Sequence, residues 1–447
     1  MINNLIEYFK DKKIIILGFG REGVSTYKLI RKYLTNQLIY IADKKENFEK
    51  DNEVLKNDKN IICISGDSYL DNLKDYDIIM KTPGISFVNI DTTEFIDKIK
   101  SQLELFLEFS NAFTIGITGT KGKSTTSSLI YKMLKDQNEK CMFLGNIGIP
   151  IFDYIDTIED DMKIVLEMSS HQLEYTKLSP NIAIFLNVFE EHLDHYESYE
   201  KYIEAKCNIY RYQNEEDYLL YNIDNSTLNS FVKNPKARTY KVSFKNQDGS
   251  NIYIKNNNVY FNDKPIYDIN TRRNLKGDYN LNNIMFVLGV SEILGLDISR
   301  TAKSIGEFES LKHRLEFVGK YNDILYYDNS IGTIPVATIE AVKALKEVDT
   351  LIIGGMDRGI DYSELIEFIN NSDISNIICM PKTGHDIAKK LKEEKVNIVE
   401  TLEEAVDVAK NKTAKNKICL LSPAAASYGF FKNFEEKGDK YQELVKK

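Results

Sequence analysis

The run Thr118-Gly119-Thr120-Lys121-Gly122-Lys123-Ser124-Thr125-Thr126 constrains this chain more than any other stretch. An apolar segment, Phe113 to Ile117, precedes it and reads as a buried strand. Ser127-Ser128-Leu129-Ile130-Tyr131-Lys132-Met133-Leu134 follows it with a helical pattern. Strand, glycine-rich turn, Gly-Lys-Ser and helix form an arrangement that binds nucleotide phosphates. Backbone N–H groups of the turn and the helix N-terminus face the anion, and Lys123 adds a full positive charge. Ser124 supplies a hydroxyl suited to Mg²⁺. The strict pattern places glycine where this chain has Ile117, with Gly116 and Gly119 on either side, so the loop is a variant. A glycine-rich turn without a ligand is the competing reading, and the correct flanking strand and helix weigh against it.

The chain has 447 residues, too many for one ordinary core, which predicts two or three domains. Hydrophobic residues make up 43%, a globular value, so disorder is not expected. A net charge of -9 argues against a nucleic-acid binder that relies on a broad basic surface, yet leaves room for a local phosphate site. The cysteines, Cys63, Cys141, Cys207, Cys379 and Cys419, are scattered and odd in number. They predict reduced thiols in a cytoplasmic protein, with no disulfide frame and no zinc site. The segment Met1 to Glu7 lacks signal-peptide character, and no apolar run is long enough to span a bilayer. Membrane insertion is therefore not expected.

Strand-like and helical patterns alternate almost throughout, which predicts α/β architecture with mostly parallel sheets. Three units are expected, 1–105, 106–311 and 312–447. The first is Rossmann-like: Lys13-Ile14-Ile15-Ile16-Leu17, a glycine turn, a helix to about Tyr33, and strands near Ile39, Ile61 and Ile78. A helix from about Thr92 to Phe109 leads into the second unit, built around the phosphate loop, with buried strands at Lys163–Met168 and Ile182–Val188. Between about Tyr240 and Tyr267, short β patterns broken by Asn and Gly predict a small antiparallel sheet beside the main one. A helix from about Asn280 to Leu294 follows, ending at Gly295. The third unit is a second doubly wound pattern, with strands Ile324–Tyr327, Thr350–Ile353, Ile377–Met380, Val396–Val399 and Ile418–Leu421.

Gly18-x-Gly20-x-x-Gly23 follows a strand and opens a helix, and Asp43 ends the next strand. By itself this is a dinucleotide fingerprint with Asp43 on a ribose, so an NAD-dependent dehydrogenase is one reading; the same turn would hold the diphosphate of another nucleotide. Glu167 ends a buried strand in Val165-Leu166-Glu167-Met168-Ser169-Ser170-His171-Gln172. A carboxylate there needs a cation or donors, and either Mg²⁺ or the Ser169–Ser170 region could supply them. His192-x-x-His195 with Asp194 lacks the HExxH spacing and has no cysteine nearby, so Mg²⁺ and substrate fit it better than a transition metal. One of these two histidines is expected at the surface. Lys206 lies in a helical stretch, and composition alone gives it no role.

Taken together, the motifs resemble the Mur ligases and the related folylpolyglutamate synthases. Gly116 to Ser124 resembles their ATP loop. Gly145-Asn146-Ile147-Gly148-Ile149-Pro150, Glu167 to Glu174, Lys312-His313-Arg314-Leu315-Glu316, Leu421 to Ser427 and Phe431 to Gly438 resemble the D-glutamate-adding branch. The likeness runs in order along essentially the whole chain. It implies a UDP-substrate domain, a central ATP and Mg²⁺ domain and an amino-acid domain. It implies UDP-N-acetylmuramoyl-L-alanine contacts at Gly18, Gly20, Gly23, Asp43 and Asn146, and ATP contacts at Gly119, Thr120, Lys121, Gly122, Lys123, Ser124, Thr125, Asn280, Arg314 and Asp328. Mg²⁺ falls to Ser124, Glu167, His192 and a carbamylated Lys206, with Lys123, His192 and Lys206 catalytic. D-Glutamate falls to Ser427, the Phe434 backbone and Arg358. The implied activity is amide ligation through an acyl phosphate, by a cytoplasmic monomer in peptidoglycan precursor synthesis. Two departures stand out. Asp328-Asn329-Ser330-Ile331-Gly332-Thr333 lacks the lysine many relatives carry there, and Gly354-Gly355-Met356-Asp357-Arg358 has arginine where lysine is common. Sister ligases, a dehydrogenase and a nucleotide-regulated binding protein are the rival readings. The last two leave the phosphate loop, or the set Lys123, Glu167, His192 and Lys206, unexplained.

Overall fold

The computed structural model describes residues 1–145, 149–192 and 195–447. It forms two compact units, Met1–Thr271 with Asn282–Ile305, and Arg272–Leu281 with Gly306–Lys447.

The first unit carries two sheets. The smaller runs in the order Ile61–Ser65, Ile39–Asp43, Ile14–Leu17, Ile78–Lys81, Ile99–Lys100, all parallel. Side chains alternate across it: Ile14 and Ile16 join an apolar cluster with Phe9 and Ile30, while Ile15 and Leu17 join another with Leu73 and Phe87. Both faces are covered, which is why these strands are unbroken apolar runs. The strand order reverses at Ile14–Leu17, so a crevice opens beyond its C-terminal end, at Gly18.

The larger sheet has nine strands. Phe113–Thr118 lies between Ile182–Phe185 and Lys163–Glu167, with Cys141–Gly145 outermost on the latter side. All these neighbours are parallel, so the ends of three strands converge where the phosphate loop begins. On the other side Tyr218–Asn222 and Arg238–Ser243 continue the sheet in parallel.

The structure departs from the sequence expectation at three elements of this unit. The antiparallel strands Ile252–Lys255, Asn258–Phe261 and Lys264–Asp268 are not a separate sheet, because Ile252 and Tyr253 pair in parallel with Val242 and Ser243 and extend the main one. The helix expected from Thr92 to Phe109 is confined to Gln102–Phe109. Ser101 caps it by accepting from the Glu104 N–H, and Ile99–Lys100 before it is instead an edge strand beside Ile79 and Met80. The strand expected over Ile182–Val188 ends at Phe185, where the chain turns to the phosphate loop.

The second unit holds one sheet in the order Glu316–Tyr321, Ile324–Asp328, Ile418–Leu421, Val348–Ile353, Asn376–Cys379, Val396–Ile398. Only the first strand is antiparallel, and sequence reading missed it. Helices Pro335–Leu345 and Ser363–Asn371 cover one face, and Leu402–Lys412 and Phe434–Lys446 cover the other.

Candidate active site

The phosphate loop owes its shape to two glycines. Gly119 and Gly122 have φ of 155° and 89°, and Gly122 ends in the left-handed region just before the helix Lys123–Asp136. A Cβ on Gly122 would also meet Asn283 Oδ1 at 2.6 Å. The loop is fastened to the neighbouring strand by Asn187, whose carbonyl accepts from Thr120 N (3.0 Å) and whose side chain accepts from Lys121 N (2.9 Å) and donates to Lys121 O (3.0 Å). Thr120 Oγ1 also lies 2.9 Å from the Tyr202 hydroxyl. The Lys123 ammonium curls back onto the loop, donating to Gly119 O (2.8 Å) and Thr120 O (3.2 Å). Lys121 reaches outward and pairs with Glu191. Thr125 is half-buried on the first turn.

Ser124 and Glu167 meet where the two strands end. The Ser124 hydroxyl donates to Glu167 Oε1 at 3.0 Å, and both residues are buried. A hydroxyl and a carboxylate converging beside a phosphate loop are hard oxygen donors, the kind Mg²⁺ selects. Lys206 lies beneath them, 1% exposed, donating to Gly119 O (3.1 Å) and packed 4.9 Å from the Tyr202 ring. Burial, reinforced by the charge of Lys123, holds its pKa well below the ordinary lysine value. Carbamylation would require the neutral amine, the form that burial favours here.

His192 is the exposed histidine of its pair and adopts φ of 61°. His195 is the buried one and meets Glu174 at 3.1 Å. Between them lies His171, with ring centres 4.8 Å from His192 and 4.2 Å from His195. Burial, then the two histidines, push its pKa down to about 3, so this ring is neutral. Glu174 also pairs with the buried Lys81 at 3.3 Å. Sequence reading gave no role to His171, Glu174, Lys81, Asn187 or Tyr202. Lys81, a lysine closing an apolar parallel strand, was the one visible signal.

In the smaller sheet, the glycine turn borders a cleft of about 470 Å³ lined by Gly18, Gly20, Arg21, Glu22, Asp43 and the Thr82–Ile85 turn. A Cβ on Gly23 would collide with the Gly18 carbonyl, while Gly20 faces open space. Asp43 braces the turn, accepting from Phe19 N (2.7 Å) and Lys45 N (2.8 Å). Glu22 also faces the cleft, and Gln172 Nε2 donates to its carboxylate at 3.2 Å. Asn146 lies outside the described residues, as do Leu193 and Asp194.

The second unit carries Asn280, Arg314, Asp328, Arg358, Ser427 and Phe434. Asn280 is buried and donates to Lys276 O (2.8 Å). Arg314 is flanked by His313 and Leu315, both at positive φ (63° and 51°), and their N–H groups are held by Glu316 and Asn329 side chains. Asp328 is fully buried and engaged by protein groups: His313 Nδ1 (2.7 Å), Gln442 Nε2 (3.0 Å) and Ser330 N (2.8 Å). It braces the Arg314 turn, a role its place at a strand end did not reveal. Arg358 is exposed, on the loop whose Met356 pairs with Ala426, one residue before Ser427. Ser427 is buried with its Oγ unpartnered. Phe434 is the first residue of the helix Phe434–Lys446, which Asn433 caps.

A phosphate loop on an inner strand of a mostly parallel sheet, with a hydroxyl–carboxylate pair at the end of the adjacent strand, defines a P-loop α/β nucleotide-binding protein. The Mur ligase middle domain matches residues 117–291, and the C-terminal domain of coenzyme F430 synthetase matches residues 318–423. The UDP-N-acetylmuramoylalanine–D-glutamate ligase of Acetivibrio thermocellus is 33% identical over 99% of this chain and 98% of its own length. That of Listeria monocytogenes is 32% identical over 98% and 97%. Among solved structures, MurF from Acinetobacter baumannii superposes with a TM-score of 0.63 at 12% identity, covering 99% of this chain and 98% of its own. MurF from Thermotoga maritima in complex with ADP reaches 0.60 at 16% identity, covering 98% and 96%. The chain belongs to the Mur ligase family, whose members are ATP-dependent ligases.

Proposed function

We propose that this protein is the ATP-dependent ligase that joins D-glutamate to UDP-N-acetylmuramoyl-L-alanine in peptidoglycan precursor synthesis. The observation that carries the reading is the cluster of half-buried Lys123 with buried Ser124, Glu167 and Lys206 around the phosphate loop, on a chain that matches ligases of that name end to end.

A carboxylate does not react with an amine near neutral pH, because its leaving group is poor. Transfer of the ATP γ-phosphate to the alanyl carboxylate gives an acyl phosphate. The D-glutamate amine then attacks, releasing phosphate and leaving an amide and ADP. In this reading the turn N–H groups cradle the phosphates and Lys123 leaves its loop carbonyls to meet the transferred one. Ser124 and Glu167 would hold one Mg²⁺, and His192 with carbamylated Lys206 a second. Bound Mg²⁺ would supply positive charge to the developing phosphoryl oxygens. Carbamylation needs only CO₂: the Lys206 nitrogen adds to its carbon and one proton leaves.

The roles then divide as 1–105 for the UDP-substrate, 106–311 for ATP and Mg²⁺, and 312–447 for the amino acid. The cleft at Gly18, Gly20, Gly23 and Asp43 takes the uridine diphosphate, with Asn146 toward the substrate. Asn280, Arg314 and the turn braced by Asp328 serve the nucleoside of ATP. Arg358, Ser427 and the Phe434 backbone serve D-glutamate. Among the described residues no helix is long and apolar enough to cross a membrane, and the reading is of a monomer acting in the cytoplasm. ADP release tests it, measured with UDP-N-acetylmuramoyl-L-alanine and a panel of amino acids. Release that depends on D-glutamate is expected. Release that depends on a diamino acid or on L-glutamate would assign a sister activity.

A further inference from the structure

The second unit contains a buried cation that none of the roles above uses. Lys437 is 2% exposed, and among the described residues its ammonium group makes one hydrogen bond, to Gly354 O at 2.8 Å. An ammonium carries three N–H donors, so two are unspent. Among the described residues no carboxylate lies within ion-pair distance of it, and Asp328 acts on it only through space. A buried charge so poorly matched is unfavourable without a ligand, and burial lowers its pKa to about 7.

Lys437 lines a cavity of about 250 Å³ together with Ser427, whose buried Oγ has no partner among the described residues. Two polar groups short of partners therefore line one small space. Its volume falls below the roughly 300 Å³ at which drug-sized sites begin, so it suits a small metabolite and not a nucleotide. Glu400 and Glu403 line it as well, but both are exposed, on the solvent side. Lys437 is the cation among the lining residues. It also lies one helical turn after Phe434, on the same face of the helix Phe434–Lys446.

We infer that Lys437 and Ser427 form a carboxylate subsite for the amino-acid acceptor, with Lys437 as its charged anchor. This rests on the ligase reading and adds to it the cation that meets one carboxylate of the acceptor. An entering carboxylate accepts the two free N–H bonds of Lys437 and the hydroxyl of Ser427, which satisfies all three at once. The exposed Arg358 remains for the second carboxylate.

Steady-state kinetics on the full-length enzyme test this. Lys437→Met should raise KM for D-glutamate at least tenfold and leave KM for ATP and for the UDP-substrate within twofold. Lys437→Arg, which keeps the charge, should recover most of the D-glutamate KM. An unchanged D-glutamate KM in Lys437→Met overturns the inference. So does a lowered melting temperature with all three KM values moved together, which would mark a purely structural lysine. If Lys437→Met does not fold, Lys437→Arg decides: it should alter the ratio of KM for D-glutamate to KM for D-glutamine, and an unaltered ratio refutes the subsite. A wild-type enzyme that ligates no amino acid at all sinks the ligase reading itself, an outcome distinct from an active enzyme indifferent to Lys437.

Discussion

Glu22→Gln should make the protein more stable at alkaline pH and leave it unchanged in acid. Glu22 sits in the first turn of the helix Arg21–Tyr33, facing the glycine-turn cleft, and burial raises its pKa from 4.5 to about 7 against the opposing pull of Gln172 and Lys81. The rise from 4.5 to about 7 puts the penalty for the ionised form at about 3 kcal/mol. The sign follows from proton binding. The folded state holds this proton more tightly than the unfolded chain does. Its stabilising contribution is complete below pH 4.5 and is lost as pH rises through about 7. Glutamine keeps the hydrogen bond with Gln172 and carries no charge, so it escapes that loss. Melting curves of both proteins at pH 5, 6, 7 and 8 check it. The variant should match the wild type at pH 5 and melt a few degrees higher at pH 8. A difference that is constant with pH, or a variant that melts lower at pH 8, would refute the reasoning. On the proposed function the same ionisation would put a negative charge beside the bound diphosphate, so calorimetric affinity for the UDP-substrate should fall above pH 7 in the wild type and not in the variant.

Lys123→Ala should cut kcat by about two to three orders of magnitude with a normal melting curve, since on the proposed mechanism it removes the charge that would meet the transferred phosphate; near-normal turnover would dismiss the loop's catalytic role. Lys206→Ala should abolish activity, with partial recovery on adding a short carboxylic acid such as formate, and full activity without rescue would rule the carbamate out. Arg358→Ala should raise KM for D-glutamate and leave KM for ATP nearly unchanged, as two-substrate kinetics would show, and an unmoved D-glutamate KM would remove Arg358 from the site.

The parts legible in the sequence were those whose chemistry is local. The phosphate loop announces itself because Gly119 and Gly122 must adopt positive φ between a buried strand and a helix. The glycine turn at Gly18 to Gly23 is equally self-contained. What stayed hidden depends on strand order. Asn187 fastens the loop only because Ile182–Phe185 lies beside Phe113–Thr118, and Lys81 meets Glu174 across 93 positions of chain. The edge strand Glu316–Tyr321 was hidden because Gly319 and its alternating polar residues read as loop. The overlong helix from Thr92 shows the converse: helical periodicity continued through Ile96 and Ile99, but pairing with Ile79 and Met80 claimed Ile99–Lys100 for the sheet.

The helix Tyr199–Arg211 grips the phosphate loop at two consecutive residues, Tyr202 on Thr120 and Lys206 on Gly119. Those two side chains are four residues apart and share a face. An insertion or deletion of a single residue between them would rotate one grip by about 100° away from the other. The segment 203–205 is therefore a measured spacer, in which length is constrained more tightly than residue identity. Swapping its side chains should be far gentler than changing its count, and variation among functional sequences should take the form of substitutions there and not gaps.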